Sequence, residues 1–185
     1  MLEPLLGKLN NMRVVLASGS KQRANLLSST NLNFEVVPSN YEEDLDPREH
    51  TFSDFVENTA LASDTMVVYN GKMFGKPKTR EEAIKTISEL TKAGLPNFVY
   101  TGVIIWYKNK IHKFTEVTTV HMAHLTDAEI LAYIDTGEHI GKAGGYGIQG
   151  IASTFVTRIE GDCNNVIGLP LCKLAFTLKN ILNNS

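Results

Sequence analysis

The sequence contains little of several features that mark special classes of protein. Its 185 residues include two cysteines, six prolines and one tryptophan. Cys163 and Cys172 have no histidine or third cysteine at metal-ligand spacing beside them, which predicts two free thiols and neither a disulfide framework nor a zinc site. No apolar run reaches the ~18 residues that cross a bilayer. Residues 1–6 lack the basic start and apolar core of a signal peptide. We therefore expect a soluble, cytoplasmic protein that does not engage a membrane.

An excess of charge of either sign is also absent. The 18 lysines and arginines nearly balance the 20 aspartates and glutamates, giving a formal net charge of -2. This balance argues against a protein held to nucleic acid by bulk electrostatics, although a local basic pocket needs only a few cations. With 43% hydrophobic and 21% charged residues, the composition is that of a globular protein. The length fits one domain, or two lobes that share a core.

Local signals predict helices and strands in mixed order. Ser20 is placed to cap a helix that ends near Ser28, and capping boxes begin at Thr79 and Thr126. Asn70-Gly71 is typical of a two-residue hairpin turn. These signals favour an α/β or α+β fold with a mixed sheet over a strict βαβ repeat. Strands are predicted over residues 13–17, 34–37, 66–69, 98–107, 111–122 and 154–159.

The first candidate site is the strand–turn–helix segment at residues 16–23, Leu-Ala-Ser-Gly-Ser-Lys-Gln-Arg. Backbone N–H groups at a helix start, two hydroxyls and two cations can hold phosphate oxygens. The spaced glycines and final Gly-Lys-Ser/Thr of a P-loop are absent. An ordinary capped helix explains the same residues.

Two further candidates are single charged residues. Asp64 interrupts an apolar run, which predicts a strand end where a carboxylate could bind Mg²⁺ or activate water. A turn aspartate before a hairpin is the alternative. Lys76, between Gly75 and Pro77, is of interest only if other phosphate-binding groups converge with it.

The strongest candidate is the glycine-rich loop, residues 137–150. Its six glycines each cost backbone entropy on folding, which favours several positive φ angles or close approach of the backbone to a ligand over simple packing. Within it, Glu138, Lys142 and Gln149 supply a metal-capable carboxylate, a cation and an amide.

Taken together, the motifs resemble the Maf family of nucleotide pyrophosphatases. The resemblance covers residues 13–182 in the family's order, which predicts a single two-lobed domain after an N-terminal extension at 1–12. The stretches that carry it are LASGSKQR at 16–23, PSNYEED at 38–44, ASDTMVVYNGKMFGKP at 62–77, VYTGV at 99–103, YIDTGEHIGKAGGYGIQG at 133–150 and FVTRIEGDCNNVIGLPL at 155–171.

The resemblance implies an α/β fold in which a curved mixed sheet with flanking helices forms a cleft between two lobes, similar to inosine triphosphate pyrophosphatases. It further implies a homodimer that hydrolyses the α–β phosphate bond of a nucleoside triphosphate with Mg²⁺ or Mn²⁺. Asp64 would activate water and bind metal together with Glu43. Substrate-binding groups would be Ser18, Ser20, Lys21, Arg23, Thr65, Lys76, Lys142 and Gln149.

Substrate preference has its own sequence markers. Thr65 and Gln149 match the branch of the family that acts on dTTP and UTP, and a glutamine amide offers both a donor and an acceptor to a pyrimidine. Gln22, however, stands where that branch has an arginine associated with specificity.

A second departure precedes Asp64. Family members carry a helix with an Ala-x-x-Lys-Ala pattern and then a strand, whereas here Thr59-Ala60 runs directly into Leu61. We expect residues to be missing between Ala60 and Leu61, and their true absence would impair catalysis. The alternatives are therefore a catalytically weak nucleotide-binding regulator of cell division, or a pyrophosphatase for modified or purine nucleotides.

Overall fold

The computed structural model describes residues 1–38, 59–92 and 94–184, and the structural statements below refer to these residues. Six α-helices alternate irregularly with seven β-strands in this part of the chain. The helices are α1 (Glu3–Leu9), α2 (Lys21–Ser28), α3 (Arg80–Lys92), α4 (Asp127–Asp135), α5 (Cys163–Ile167) and α6 (Leu171–Asn183). The strands are β1 (Val14–Leu16), β2 (Glu35–Val36), β3 (Thr59–Tyr69), β4 (Lys72–Phe74), β5 (Asn97–Tyr107), β6 (Lys110–Met122) and β7 (Val156–Glu160).

The strands form one mixed sheet in the order β2-β1-β3-β5-β6-β7, with β4 paired to β3. β1 is parallel to both β2 and β3, whereas β4 is antiparallel to β3 and β7 is antiparallel to β6. The predicted mixed α/β architecture is therefore confirmed.

The chain divides into two compact units. The first comprises Met1–Ser63, Gly102–Phe114 and Leu171–Ser185, and the second comprises Asp64–Thr101 and Thr115–Pro170. In the first unit all three residues of β1 are buried, as are Leu27 of α2 and Leu174 of α6. Residues 1–12, predicted as an extension, include α1, whose Leu9 is 1% exposed. No helix among the described residues has the length and apolar character needed to span a membrane.

The core of the second unit forms between α3, α4 and the sheet. Helix α3 buries Ala83, Ile87 and Leu90 along one face, as its apolar spacing predicts. Tyr133 of α4 packs edge-on against Phe155, with ring centroids 5.1 Å apart. Tyr146 of the glycine-rich loop, and Ala152 just after it, are buried in the same hydrophobic cluster.

The predicted turns and caps are mostly confirmed. Asn70 and Gly71 have φ angles of 47° and 73°, as a hairpin of this type requires. The Ser20 side chain caps α2, and Thr126 forms a complete capping box with Glu129. The box at Thr79 is half formed, because Glu82 accepts the backbone N–H of Lys78 at 2.8 Å and not that of Thr79.

The prediction that Asp64 marks a strand end is wrong. β3 runs without a break over eleven residues, and Asp64 lies in its interior. Its first residues continue the sheet beside β1, with Thr59 opposite Val14 and Leu61 opposite Leu16. Thr59 and Ala60 are thus strand residues, and the chain passes through Ala60 and Leu61 with no helix end there.

Candidate active site

The predicted phosphate-binding turn gathers several of its side chains in the first unit. The hydroxyl oxygen of Ser18, a residue only 7% exposed, accepts hydrogen bonds from Nη1 of Arg23 at 3.1 Å and from the backbone N–H of Ser20 at 3.3 Å. The Ser20 hydroxyl donates to Oε1 of Gln22 at 3.2 Å. The guanidinium of Arg23 is therefore held beside Ser18 at the N-terminus of α2, while Lys21 begins the helix as an exposed residue.

Asp64 and Thr65 do not present their side chains together. Neighbouring residues of a strand point to opposite faces of the sheet. The side chain of Asp64 is exposed, and its Oδ1 accepts the backbone N–H of Thr65 at 2.7 Å. The Thr65 hydroxyl pairs instead with that of Thr101, at 3.0 Å.

The glycine-rich loop has four glycines with positive φ angles and two that lie against side chains of the same loop. Four of them, Gly137, Gly141, Gly144 and Gly145, have φ between 66° and 76°, a region that other residues rarely adopt. At Gly147 a Cβ atom would lie 2.7 Å from Cε of Lys142, and at Gly150 it would lie 2.2 Å from Oε2 of Glu138. The several positive φ angles that the sequence analysis favoured are therefore found at four of the six glycines, whereas Gly147 and Gly150 lie against the flexible ends of the Lys142 and Glu138 side chains.

Glu138 holds the two ends of this loop together. Its carboxylate accepts the backbone N–H groups of Ile151 at 2.6 Å and of Ala152 at 2.9 Å. Its backbone carbonyl accepts a hydrogen bond from the Lys142 ammonium. A carboxylate engaged by two backbone donors shapes the loop, and the interpretation of Glu138 as a metal-capable group stays a prediction.

The loop also contacts the segment that bears Lys76. The backbone N–H of Gly144 donates to the carbonyl oxygen of Gly75 at 2.9 Å, and a Cβ atom at Gly145 would lie 3.3 Å from Pro77. Lys76 and Lys142 are thus carried by segments that are hydrogen-bonded to each other. Gln149 lies further along the same loop and is exposed.

Two buried tyrosines fix the loop to its surroundings. Burial raises the pKa of Tyr133, with a further contribution from Glu138, and burial raises the pKa of Tyr146. Both shifts extend to higher pH the range in which these hydroxyls are protonated donors. Tyr133 donates to the Gly145 carbonyl at 3.1 Å, and Tyr146 donates to Oδ1 of Asn97 at 2.7 Å.

A buried polar network that our sequence analysis did not predict adjoins Thr65. Thr101, Thr118 and Asn165 are each 0% exposed, and both threonine hydroxyls are hydrogen-bonded to Asn165. A signal for it exists on β5, because Thr101 shares the buried, period-two face of the strand with Val99 and Val103.

The proposed metal ligands are described only in part. Glu43 lies outside the described residues. Across residues 1–38, 59–92 and 94–184, no three His, Cys, Asp or Glu side chains are grouped as ligands for a metal ion.

Comparison with known proteins gives a consistent picture. The model of the family described as Maf-like protein matches residues 13–181. A dTTP/UTP pyrophosphatase of Thermoanaerobacter sp. (strain X514) is 41% identical, over 91% of this chain and 96% of its own. The dTTP/UTP pyrophosphatase of Clostridium beijerinckii is 38% identical over 92% and 100%, and that of Thermosipho africanus is 36% identical over 88% and 90%.

The alignments also show that the relatives contain residues with no counterpart here. The alignment with the Thermoanaerobacter protein is 187 positions long but includes only 91% of this chain, which has 185 residues. Among solved structures, a nucleoside-triphosphatase / dITP/XTP pyrophosphatase from Mycobacterium abscessus is 12% identical and covers 94% of this chain and 97% of its own, at a TM-score of 0.40. The sequence relatives and the family match carry the assignment: this chain belongs to the Maf family.

Proposed function

We propose that this protein is a nucleoside triphosphate pyrophosphatase that hydrolyses dTTP and UTP to the monophosphate and pyrophosphate. One geometric observation supports this function above the others. The loop with Lys142 is hydrogen-bonded, through Gly144, to the turn with Lys76, in the same unit as the exposed carboxylate of Asp64. Cations on a rigid frame suit a crowded polyphosphate, and a carboxylate suits the water that attacks it.

The catalytic role falls to Asp64. Hydrolysis between the α- and β-phosphates requires a water to lose a proton as it attacks phosphorus, and an exposed aspartate can accept that proton. The hydrogen bond from the Thr65 backbone to Oδ1 orients the carboxylate, so that its other oxygen carries this role. No other Asp or Glu is assigned as base.

Phosphate binding is assigned to cations and hydroxyls in both units. In the first unit, Ser18, Ser20, Lys21 and Arg23 form the turn before α2, where the helix N-terminus also favours negative charge. In the second unit, Lys76 and Lys142 provide the cations. Neutralisation of the phosphate oxygens lowers the electrostatic barrier to the approaching water.

The residues present suit a Mg²⁺ or Mn²⁺ ion that arrives with the nucleotide. Mg²⁺ commonly binds through one or two carboxylates together with substrate phosphates. The Asp64 carboxylate supplies hard oxygen donors and is exposed. Asp64, with Glu43, would hold the ion. When bound, it would supply positive charge to the phosphates.

Preference for dTTP and UTP follows from the names of the relatives and from Thr65 and Gln149, which match that branch. Gln22 accepts a hydrogen bond from the Ser20 hydroxyl. Because that branch has an arginine at this position, Gln22 is the residue through which the nucleotide preference would differ from that of the relatives. We further propose that the protein acts in the cytoplasm as a homodimer.

The experiment that tests the function is product analysis. Purified protein with Mg²⁺ or Mn²⁺ is incubated with dTTP, UTP, CTP, ATP, GTP and ITP, and the products are separated by ion-exchange chromatography. We expect UMP or dTMP and pyrophosphate in equal amounts. UDP with orthophosphate would contradict the proposed bond, and a preference for ITP would favour the pyrophosphatase for modified or purine nucleotides.

A second candidate function is the nucleotide-binding regulator with little turnover. It is favoured by the sequence before Asp64, which lacks the Ala-x-x-Lys-Ala pattern that family members carry there. Tight binding of dTTP or UTP by calorimetry, with no product from any nucleotide, would favour this alternative.

A further inference from the structure

The turn between β3 and β4 presents an asparagine and the glycine that follows it to solvent. Asn70 and Gly71 are both exposed, and the strand residues on either side of them, Tyr69 and Lys72, pair with each other. In a two-residue turn of this kind the flanking strand residues make the ladder hydrogen bonds. The Asn70 amide and the Gly71 N–H accordingly make no hydrogen bond to the rest of the described chain.

An asparagine followed by a glycine can rearrange without a catalyst. The backbone nitrogen of Gly71 attacks Cγ of Asn70 and forms a C–N bond, while the side-chain nitrogen leaves as ammonia and takes up the proton of the attacking nitrogen. Water then opens the resulting cyclic imide. Cleavage at the former side-chain carbonyl gives aspartate, and cleavage at the backbone carbonyl gives isoaspartate, in which the main chain runs through the side chain. The net change consumes one water and releases one ammonia.

The surroundings of this turn favour the attack. A glycine leaves the attacking nitrogen uncrowded, and a Cβ atom at Gly71 would meet nothing within 4 Å. Because the Gly71 N–H lies outside the strand ladder, its proton can leave without the loss of a hydrogen bond of the fold. The exposure of both residues admits the water that opens the imide.

The turn between β5 and β6 shows what the glycine adds. Lys108 and Asn109 have φ angles of 46° and 60° and are exposed, so this turn is similar in backbone and solvent access. The residue after Asn109, however, is Lys110, the first residue of β6, and its side chain crowds the attacking nitrogen. Asn109 is therefore an internal control for Asn70, since it is an exposed turn asparagine without the glycine.

Isoaspartate would lengthen the turn by one backbone atom, about 1.5 Å. Little holds β4 in register against such a change. Met73 is 75% exposed, and the Lys72 ammonium meets Glu89 in a surface ion pair at 3.3 Å, a kind of contact that contributes little. Phe74 is half-buried and packs against the core. We therefore expect the added atom to shift the end of this short strand.

The end of β4 leads directly into the segment with Lys76. The carbonyl oxygen of Gly75 accepts the backbone N–H of Gly144 at 2.9 Å, and this hydrogen bond joins the segment to the glycine-rich loop. A shift comparable to a bond length is large enough to break a hydrogen bond. Modification of Asn70 would thus separate Lys76 from the loop that carries Lys142.

We propose that Asn70 is a site of spontaneous deamidation, and that its isoaspartyl product breaks the contact between Gly75 and the glycine-rich loop. The site is a property of this turn and does not depend on the proposed function. Its effect on catalysis does, because the loosened segment carries Lys76. The protein would then lose stability and nucleotide affinity as it ages.

Peptide mapping of aged protein tests the modification. Wild-type protein is held in mildly alkaline buffer, which favours loss of the amide proton, and is sampled over several weeks. Mass spectrometry with electron-transfer fragmentation distinguishes asparagine, aspartate and isoaspartate at each position. We expect isoaspartate to accumulate at Asn70 while Asn109 keeps its amide. An unchanged Asn70, or equal modification of both residues, would overturn the inference.

Two variants separate the longer backbone from the new charge. Asn70→Gly removes the reacting amide and suits the positive φ of the turn, so its thermal unfolding midpoint should not change with age. Asn70→Asp, measured when fresh, has the charge of the product on an ordinary backbone and should match fresh wild type. A fresh Asn70→Asp protein as unstable as the isoaspartyl form would show that charge is the cause, and would overturn the inference.

The isoaspartyl form is separated by ion exchange and compared with fresh wild type. We expect a lower thermal unfolding midpoint, faster hydrogen exchange of the Gly144 N–H, and kcat/KM for UTP lower by about 10²-fold, the cost of a displacement of about 1 Å. An unchanged midpoint and exchange rate would overturn the inference. If fresh wild type hydrolyses no nucleotide, the proposed function fails, while mapping, midpoint and exchange still decide this inference.

Discussion

The carboxylate of Glu138 accepts the backbone N–H of Ala152 at 2.9 Å, across the full length of the glycine-rich loop. The same side chain accepts the N–H of Ile151 at 2.6 Å. These bonds close the segment that carries Lys142 and Gln149. Glu138 therefore closes the loop at its base, and we expect it to influence nucleotide binding through the shape of the loop.

Replacement of Glu138 by glutamine should loosen the loop. The neutral amide keeps one acceptor and turns its NH₂ toward the second backbone donor, so one charge-assisted hydrogen bond is lost, worth roughly 1.5–3 kcal/mol. We expect KM for UTP to rise about tenfold, measured by steady-state pyrophosphate release. The Mg²⁺ concentration for half-maximal activity should not change, and a large increase in it would show that Glu138 binds metal after all.

Glu129 offers the control for this variant. It also accepts a backbone N–H, that of Thr126 at 2.8 Å, at the start of α4 and outside the glycine-rich loop. Glu129→Gln should lower the thermal midpoint and leave KM for UTP unchanged. An equal increase of KM in both variants would mean that general destabilisation, and not loop shape, explains the effect.

Gly147→Ala should displace Lys142. The added Cβ would lie 2.7 Å from Cε and 2.8 Å from Cδ of that lysine, so the lysine side chain must leave its place. If Lys142 binds phosphate from this place, KM for UTP should rise about tenfold, the worth of a charged hydrogen bond. Steady-state kinetics of Gly147→Ala, Lys142→Ala and the double variant measure this.

Non-additivity is the decisive outcome for that set. If both single substitutions remove the same contact, the double variant should resemble Lys142→Ala alone. Gly7→Ala, where a Cβ atom would meet nothing within 4 Å, provides a control for glycine replacement as such. Fully additive increases of KM would contradict the claim that Lys142 binds phosphate while its side chain lies against Gly147.

The capping box of α4 should make part of the stability dependent on pH. Hydrogen bonds from Thr126 lower the pKa of Glu129 from 4.5. A carboxyl with a lowered folded-state pKa stabilises the fold above its unfolded pKa, and this contribution is lost as the pH falls through the folded-state pKa. Thr126→Ala should cost about 1 kcal/mol at pH 7.

Urea unfolding at several pH values tests this linkage. The difference in unfolding free energy between wild type and Thr126→Ala should shrink as the pH drops below 4.5, the value from which the Glu129 pKa is lowered. A difference that is the same at pH 7 and at pH 3 would contradict the charged capping box.

Features set by a few neighbouring residues could be predicted from the sequence. Ser20 caps α2 and Asn70-Gly71 turns the β3–β4 hairpin, because each depends on local backbone geometry that these residues favour. The resemblance also placed Lys76 and Lys142, which the structure puts on two contacting segments. The substrate-binding and catalytic roles of individual residues remain predictions.

Features set by tertiary contacts could not be predicted. The length of β3 depends on pairing with β1, 45 positions earlier at Val14 and Thr59, so Asp64 was wrongly placed at a strand end. The hydrogen bonds of the Glu138 carboxylate could not be predicted because the N–H groups that it accepts belong to residues 13 and 14 positions later. The contacts at Gly147 and Gly150 could not be predicted either, because the side chains of Lys142 and Glu138 come to lie against them only in the folded loop.

The central claim is that Asp64 activates the water that cleaves the nucleotide, and one comparison tests it most directly. Pyrophosphate release from dTTP and UTP with saturating Mg²⁺ is measured for wild type and Asp64→Asn, together with binding of the α,β-methylene analogue of UTP. Loss of a general base costs about 10²–10⁴ in rate, so kcat should fall by that factor while the analogue still binds. An Asp64→Asn protein that retains wild-type kcat would contradict the account.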